Sequence, residues 1–351
     1  TADVDGVNRM MSKCAADYEA AGAKVERIPG KDSRGDHLRI TSAWGGDGPG
    51  ILVLCHLDTV HPKGTLAKDL PFRIDGDKAY GSGIYDMKGG AYIALCAYRA
   101  IAAGPTPNGL PVRFLYVSDE ETGSRTSRAL IEQEAERAKY VLVTEPCKNG
   151  VIVTGRFAFQ RFWIDVEGRP AHAGATNRQG RSAIRAMARI IEQIENMTDF
   201  ERGMTFSVGT IEGGTFVNVM PIRCRAQVLT VAPTQAIFDE VAQRMMALES
   251  ENDGVTVRVE RGPVRPLWQP HRPTMALYEK AHEIAASIGF KLEHGSFGGG
   301  SDGNFTGALG IATLDGLGVD GASAHTFEEH ILVSSLVPRC RLFAELVRTL
   351  D

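Results

Sequence analysis

Cysteine is sparse in this chain and never closely paired: Cys14, Cys55, Cys96, Cys147, Cys224 and Cys340 stand far apart, with no Cys-x-x-Cys spacing. That excludes a disulfide scaffold and a cysteine-based metal module, and free thiols point to a reducing compartment, the cytoplasm. No run of about 18 apolar residues exists, so no segment is expected to span a bilayer and no membrane partner is expected. Positive charge is not in excess either. A formal net charge of -4 and a pI near 6.2 leave no electrostatic footprint for nucleic acid. The opening Thr1-Ala2-Asp3-Val4-Asp5 lacks the basic-then-apolar pattern of a secretory signal, while a start at Thr1 rather than Met leaves a processed chain, and with it export, open. Internal repeats and low-complexity segments are absent, which excludes a solenoid.

At 351 residues the chain exceeds the size at which one hydrophobic core usually keeps growing, so two domains are expected. Val7, Met10, Met11, Cys14 and Tyr18 recur at helical spacing, with Gly22 as a stop. Residues 50–55 are a continuous apolar run of strand length, 112–117 and 140–143 look similar, and each ends near an acid or histidine. In open α/β sheets ligands bind outside the carboxyl ends of the strands. Residues 90–102 read as a crossover helix. From about Phe157 the texture changes to a strand (159–166), a helix (180–197), two strands (204–211 and 226–231), a helix (234–248) and a strand (255–260). This βαββαβ order is that of a small, ferredoxin-like α+β domain with an antiparallel sheet. The expected architecture is therefore α/β: a catalytic domain of residues 1–156 and 266–351, with a mixed, mostly parallel sheet flanked by helices, interrupted by an inserted domain of residues 157–265.

Five acid-or-histidine positions follow in order: His56-Leu57-Asp58, Asp86, Glu120-Glu121, Glu145 and His325. Two divalent ions about 3.5–4 Å apart need a bridging carboxylate, further ligands for each ion and a free carboxylate nearby for proton transfer. His56 is a candidate ligand and Asp58 its orienting carboxylate, two residues away on the same side of an extended segment. Asp86 sits in the glycine-dense Gly81-Ser82-Gly83-Ile84-Tyr85-Asp86-Met87-Lys88-Gly89-Gly90, which offers the backbone freedom a bridging aspartate would use. Glu120 and Glu121 follow a strand; adjacent residues of an extended segment point apart, so one can bind metal while the other handles protons. Singly each motif has a plain structural alternative: a surface loop, an acidic turn, a hydrogen-bonded loop histidine. The ordered combination carries the weight.

With HLDTVHP, GSGIYDMKGG, DEETGS, TEP, AHAG and GGGSDGNF in this order and a late His325, the chain resembles the zinc metallopeptidase and amidohydrolase family of glutamate carboxypeptidase, acetylornithine deacetylase and succinyl-diaminopimelate desuccinylase. The resemblance covers nearly the whole sequence. It implies one metal on His56 and Glu145, a second on Glu121 and His325, Asp86 bridging both, Glu120 as general base, and a cis peptide after Asp86. Two zinc ions are implied, with manganese or cobalt as alternatives. It further implies that the inserted domain dimerises, that His172 reaches across a homodimer interface toward an oxyanion, and that Asn218, Gly299, Gly300 and Ser301 contact a small amide or amine substrate. Glutamate at position 145 goes with carboxypeptidases and deacylases rather than aminopeptidases.

One departure bears on the substrate. Where the glutamate carboxypeptidase branch carries Asp-x-Arg to clamp a carboxylate, this chain has Leu229-Thr230-Val231. Valine cannot replace a bidentate arginine. Arg223 and Arg225 lie six or more residues along the same strand, roughly 20 Å away, too far to compensate. This points to an amide substrate outside ordinary acyl-glutamates, with an aminohydrolase (deaminase) or amidohydrolase acting on a non-peptide aromatic substrate as the rival reading.

Overall fold

The computed structural model describes residues 1–105, 109–147 and 149–351. The chain divides into two compact units, one of residues 1–156, 268–297 and 301–351, the other of residues 157–267 and 298–300.

The larger unit runs α1 (Val4–Glu19), β1 (Lys24–Ile28), β2 (His37–Thr41), β3 (Gly50–His56), the single turn α2 (Thr65–Lys68), β4 (Arg73–Asp75), β5 (Lys78–Tyr80), α3 (Gly89–Ala102), β6 (Val112–Val117), α4 (Arg128–Ala135), β7 (Ala138–Val143) and β8 (Val151–Arg156). It resumes with α7 (Arg272–Ser287), β14 (Glu293–Phe297), α8 (Gly303–Ala308), β15 (Ala312–Leu314), β16 (Gly321–Ala322), β17 (His330–Leu332) and α9 (Leu336–Thr349). The main sheet has the order β1-β2-β6-β3-β7-β15. Its β6, β3, β7 and β15 are parallel, and β1 and β2 form an antiparallel edge. Every residue of β3 and β6 is buried, as central strands covered on both faces require. Alternate residues of β3 feed opposite cores: Val53 and Cys55 pack with Met11, Tyr18, Ile93 and Phe343, and Leu52 and Leu54 with Ile131 and Phe305. Helices thus cover both faces. A second, antiparallel sheet, β16-β17-β5-β4, joins the late strand β17 to β5.

The chain leaves this unit for residues 157–267 and returns where Arg156 N–H donates to the Trp268 carbonyl (2.8 Å) and Trp268 N–H returns the bond (3.0 Å). Between them lie β9 (Ala158–Glu167), α5 (Ala183–Glu195), β10 (Thr205–Gly213), β11 (Arg223–Ala232), α6 (Gln235–Met246), β12 (Ser250–Asn252) and β13 (Val255–Arg265). This is the expected βαββαβ order with one short extra edge strand, β12, in the sheet β10-β11-β9-β13-β12, antiparallel throughout. Both helices start at side-chain caps: Ser182 accepts from Arg185 N–H (3.1 Å) and Thr234 from Ile237 N–H (3.3 Å). One sheet face is a core of Phe162, Ile164, Val166, Val228, Met187, Ile190 and Val241. Residues of the alternate register, including Arg161, Trp163, Gln227 and Leu229, are left accessible or half-buried.

Candidate metal centre

Five separate stretches of the larger unit converge at the carboxyl ends of β3, β6 and β7. His56 closes β3, where burial of every residue fixes the strand and its amide donates to Met87 Sδ (3.1 Å). Glu145 lies two residues beyond β7. Helix α3 can seat against that strand end because residue 90 is glycine: a Cβ there would stand 1.8 Å from the Thr144 carbonyl. Asp86 lies in a wide turn, Ile84–Lys88, that opens at Gly83 with φ +67° and leads into α3. The Asp86–Met87 peptide is cis, as the resemblance implies. His325 and Ser323 both hold left-handed backbone angles, φ +64° and +63°, uncommon for residues with a Cβ.

Asp86 divides its two oxygens between the histidines. His56 Nε2 is 3.1 Å from Oδ1, and His325 Nε2 is 3.2 Å from Oδ2. Each histidine has a second carboxylate of its own, Glu145 at 3.7 Å from His56 and Glu121 at 3.3 Å from His325. Ligand atoms of His56, Asp86 and Glu121 lie within 4.8 Å of one another, and so do those of His56, Glu120 and Glu145. Glu121 Oε1 is buried without a hydrogen-bond partner among the described residues. Two imidazoles, four carboxylates and an orphaned buried oxygen form a donor set suited to divalent cations with mixed nitrogen and oxygen preference.

Electrostatics agree with this fit. Burial alone would lower the His56 imidazole, but hydrogen bonds to Asp58 and Asp86 and the charge of Glu145 raise it well above the ordinary value. Hydrogen bonds to Asp86 and Glu121 push His325 up to about 10. Burial would raise Asp86, yet its two histidine partners hold it below the carboxylate range, while burial and the charge of Asp86 push Glu145 up.

Asp58, fully buried, does more than the spacing indicated. His56 Nδ1 lies closer to the Asp58 main-chain carbonyl (3.1 Å) than to its carboxylate (3.5 Å). That carboxylate accepts from the Glu120 and Glu121 amides at 3.3 and 3.2 Å, so it orients the glutamate pair as well. Glu120 and Glu121 are not extended, contrary to expectation; they sit in a 3-10 turn, Glu120–Thr122. The reason is Asp119, whose buried carboxylate accepts from Thr126 N–H (2.7 Å), Thr126 Oγ1 (2.8 Å) and Ser127 Oγ (2.6 Å) and so curls the chain back. Lys88 was also missed. Burial lowers its ammonium, while Glu329, Asp58 and Glu121 favour its charge.

The remaining candidates lie in the smaller unit, with one exception. His172 and Asn218 are neighbours there, Ala173 N–H donating to the Asn218 carbonyl (3.0 Å). His172 Nδ1 accepts from the Gly174 and Ala175 amides, both at 3.2 Å, which leaves Nε2–H as the outward donor. Gly299 and Gly300 group with this unit, and a Cβ at Gly300 would stand 2.7 Å from Arg265 Cδ. The exception is Ser301, fully buried in the larger unit with its hydroxyl donating to Asp315 (2.6 Å) and accepting from Gly303 N–H (3.0 Å). The pairing of β11 with β9 sets Arg161 directly opposite Leu229, on the face that carries Val231. Val231 itself faces Phe159, so Arg161 is its diagonal neighbour, about 7–8 Å away and much nearer than Arg223 or Arg225 along β11.

Residues 52–349 match peptidase family M20/M25/M40. Among curated relatives, carboxypeptidase G2 of Pseudomonas sp. (strain RS-16) is 28% identical, covering 100% of this chain and 86% of its own. A succinyl-diaminopimelate desuccinylase of Delftia acidovorans is 25% identical over 94% of this chain and 90% of its own. Among solved structures, a tripeptidase of Staphylococcus aureus superposes with a TM-score of 0.75 at 20% identity, covering 99% of this chain and 93% of that one; it speaks for the fold alone.

Proposed function

The chain belongs to peptidase family M20/M25/M40, an enzyme family of metal-dependent amide hydrolases, and from that premise we propose a carboxypeptidase- or deacylase-type hydrolase that cleaves the C–N bond of a small acylated amine or amino acid. The division of the Asp86 oxygens between two histidines, each backed by its own glutamate, carries this reading. His56, Asp86 and Glu145 would hold one divalent ion and Asp86, Glu121 and His325 a second, zinc fitting the donors best and manganese or cobalt next. When bound, such ions polarise a carbonyl and make water acidic near neutral pH.

The chain's own groups do the rest. Glu120 takes the proton from the attacking water and returns it to the leaving nitrogen. Asp58 orients His56 and the amides of Glu120 and Glu121. His172 offers Nε2–H to the negative charge that develops on the carbonyl oxygen, in a homodimer formed through the smaller unit. Asn218 and the Gly299–Gly300 backbone contact the substrate, with Ser301 shaping the loop behind them. Arg161, opposite Leu229 on the sheet face that carries Val231, would supply the carboxylate contact that valine cannot make. Deamination of an aromatic amine is not favoured, since the curated relatives named above are a carboxypeptidase and a desuccinylase. Hydrolysis of a panel of N-acyl-glutamates, N-acyl hydrophobic amino acids, dipeptides and aromatic amines by metal-loaded protein, beside Glu120→Gln, tests the reading. Amide turnover lost in the variant is expected; turnover of the amines alone would overturn it.

A further inference from the structure

Glu329 is 1% exposed and lies four residues beyond His325. Its Oε1 accepts from the Tyr85 and Asp86 amides at 2.9 and 3.0 Å, and its Oε2 from the Gly83 amide at 2.9 Å and from His61 Nε2 at 2.7 Å. A carboxylate group offers about four acceptor sites, so this one is saturated by four donors. It has no lone pair left for a metal ion or a substrate proton. Its two partner segments and its own are the ones that deliver the candidate ligands: His61 follows His56 on the same loop, residues 83–86 carry Asp86, and Glu329 follows His325. The Gly81 amide reaches the Glu329 carbonyl (3.4 Å), and β17, which begins at His330, pairs with β5 at Tyr80. The Asp86 turn and the His325 loop therefore diverge from one pair of hydrogen-bonded strands.

We propose that Glu329, held by His61, is a positioning residue that sets the spacing of His56, Asp86 and His325, and so the affinity and geometry of the metal centre. The proposal rests on the reading that these residues hold metal. Without Glu329 three backbone N–H groups and an imidazole would be left facing one another, and the turn that aims Asp86 would lose its anchor. Groups that orient metal ligands in this way typically alter affinity by about 10–100-fold when replaced.

Cobalt(II) is the probe, because its visible absorption reports coordination geometry independently of turnover. Cobalt affinity, spectrum and kcat would be measured for the full chain, Asp86→Asn, Glu329→Gln and His61→Ala. In Glu329→Gln one oxygen still accepts from Tyr85 and Asp86, but the amide NH2 opposes the Gly83 N–H and His61. About 10–100-fold weaker cobalt binding with an altered spectrum is expected, and a smaller loss in the same direction for His61→Ala. Should Glu329→Gln not fold, His61→Ala, which leaves the three backbone bonds in place, decides the matter. Unchanged affinity, spectrum and kcat with only a lower melting temperature would overturn the positioning role. Failure of the unaltered chain to bind cobalt, or indifference of binding to Asp86→Asn, would instead overturn the metal-centre reading.

Discussion

In the larger unit β3 and β6 are buried along their whole length and deliver side chains to the acidic cluster at their carboxyl ends, whereas β9 and β11 of the smaller unit alternate buried and accessible residues. The larger unit's site is made of short, mutually charged contacts that leave little freedom: His56, Asp58 and Glu145 are all buried. In the smaller unit the corresponding candidates sit on an exposed turn and an open face, with Val217 fully exposed beside Asn218. The contrast separates two tasks. Under the proposed function, activating water needs groups held to within fractions of an ångström, which burial and charge pairing provide; His172 and the substrate contacts sit instead on a surface whose side chains can be exchanged without unmaking the core.

Substitutions on the two sides should therefore fail differently. Glu120→Gln should lower kcat by about 10²–10⁴ with KM and metal content unchanged, measured by steady-state kinetics beside elemental analysis. A loss of metal content in parallel would make Glu120 a ligand instead. His172→Ala should cost about 10²–10³ in kcat while leaving the metal in place, since the residue belongs to the other unit; an effect confined to KM would remove it from oxyanion stabilisation. Arg161→Ala should raise KM about tenfold for substrates bearing a carboxylate and little for neutral ones, which a matched pair of acyl-glutamate and acyl-amide substrates would show. An equal effect on both would argue against a carboxylate contact.

The smallest effect concerns stability. In metal-free protein His325 is pushed from 6.5 to about 10. A folded-state value above the unfolded one means that its stabilisation is complete below about 6.5 and disappears as pH rises through about 10. Melting temperatures of chelator-treated protein should thus fall across that window, and His325→Ala should flatten the fall; an unchanged slope would discount the pairing with Asp86 and Glu121.

Much of this was legible beforehand. The largely apolar runs ending at Cys55, Val117 and Val143 became parallel strands, buried throughout in β3 and β6 and over residues 141–143 in β7, because such runs fit a strand covered on both faces. The βαββαβ order of the smaller unit was readable from the switch between helical and alternating periods. By contrast β4, β5, β16 and β17 are two or three residues long, too short to carry a period, and β17 meets β5 across some 250 positions of chain. The 3-10 turn at Glu120 was hidden because local hydrogen bonds to Asp119, rather than residue propensity, decide it.

Composition, order and spacing by themselves determined the residue types available, the class of fold and the kind of chemistry such donors support, since these depend on local periodicity and on which side chains can bind a cation at all. The tertiary structure alone decided that the oxygens of Asp86 face opposite ways, that Arg161 stands beside Leu229, and that Glu329 reaches back to the Tyr85 amide across 244 residues. Such contacts are set by strand register and the closure of long loops, and no local propensity in the chain encodes them.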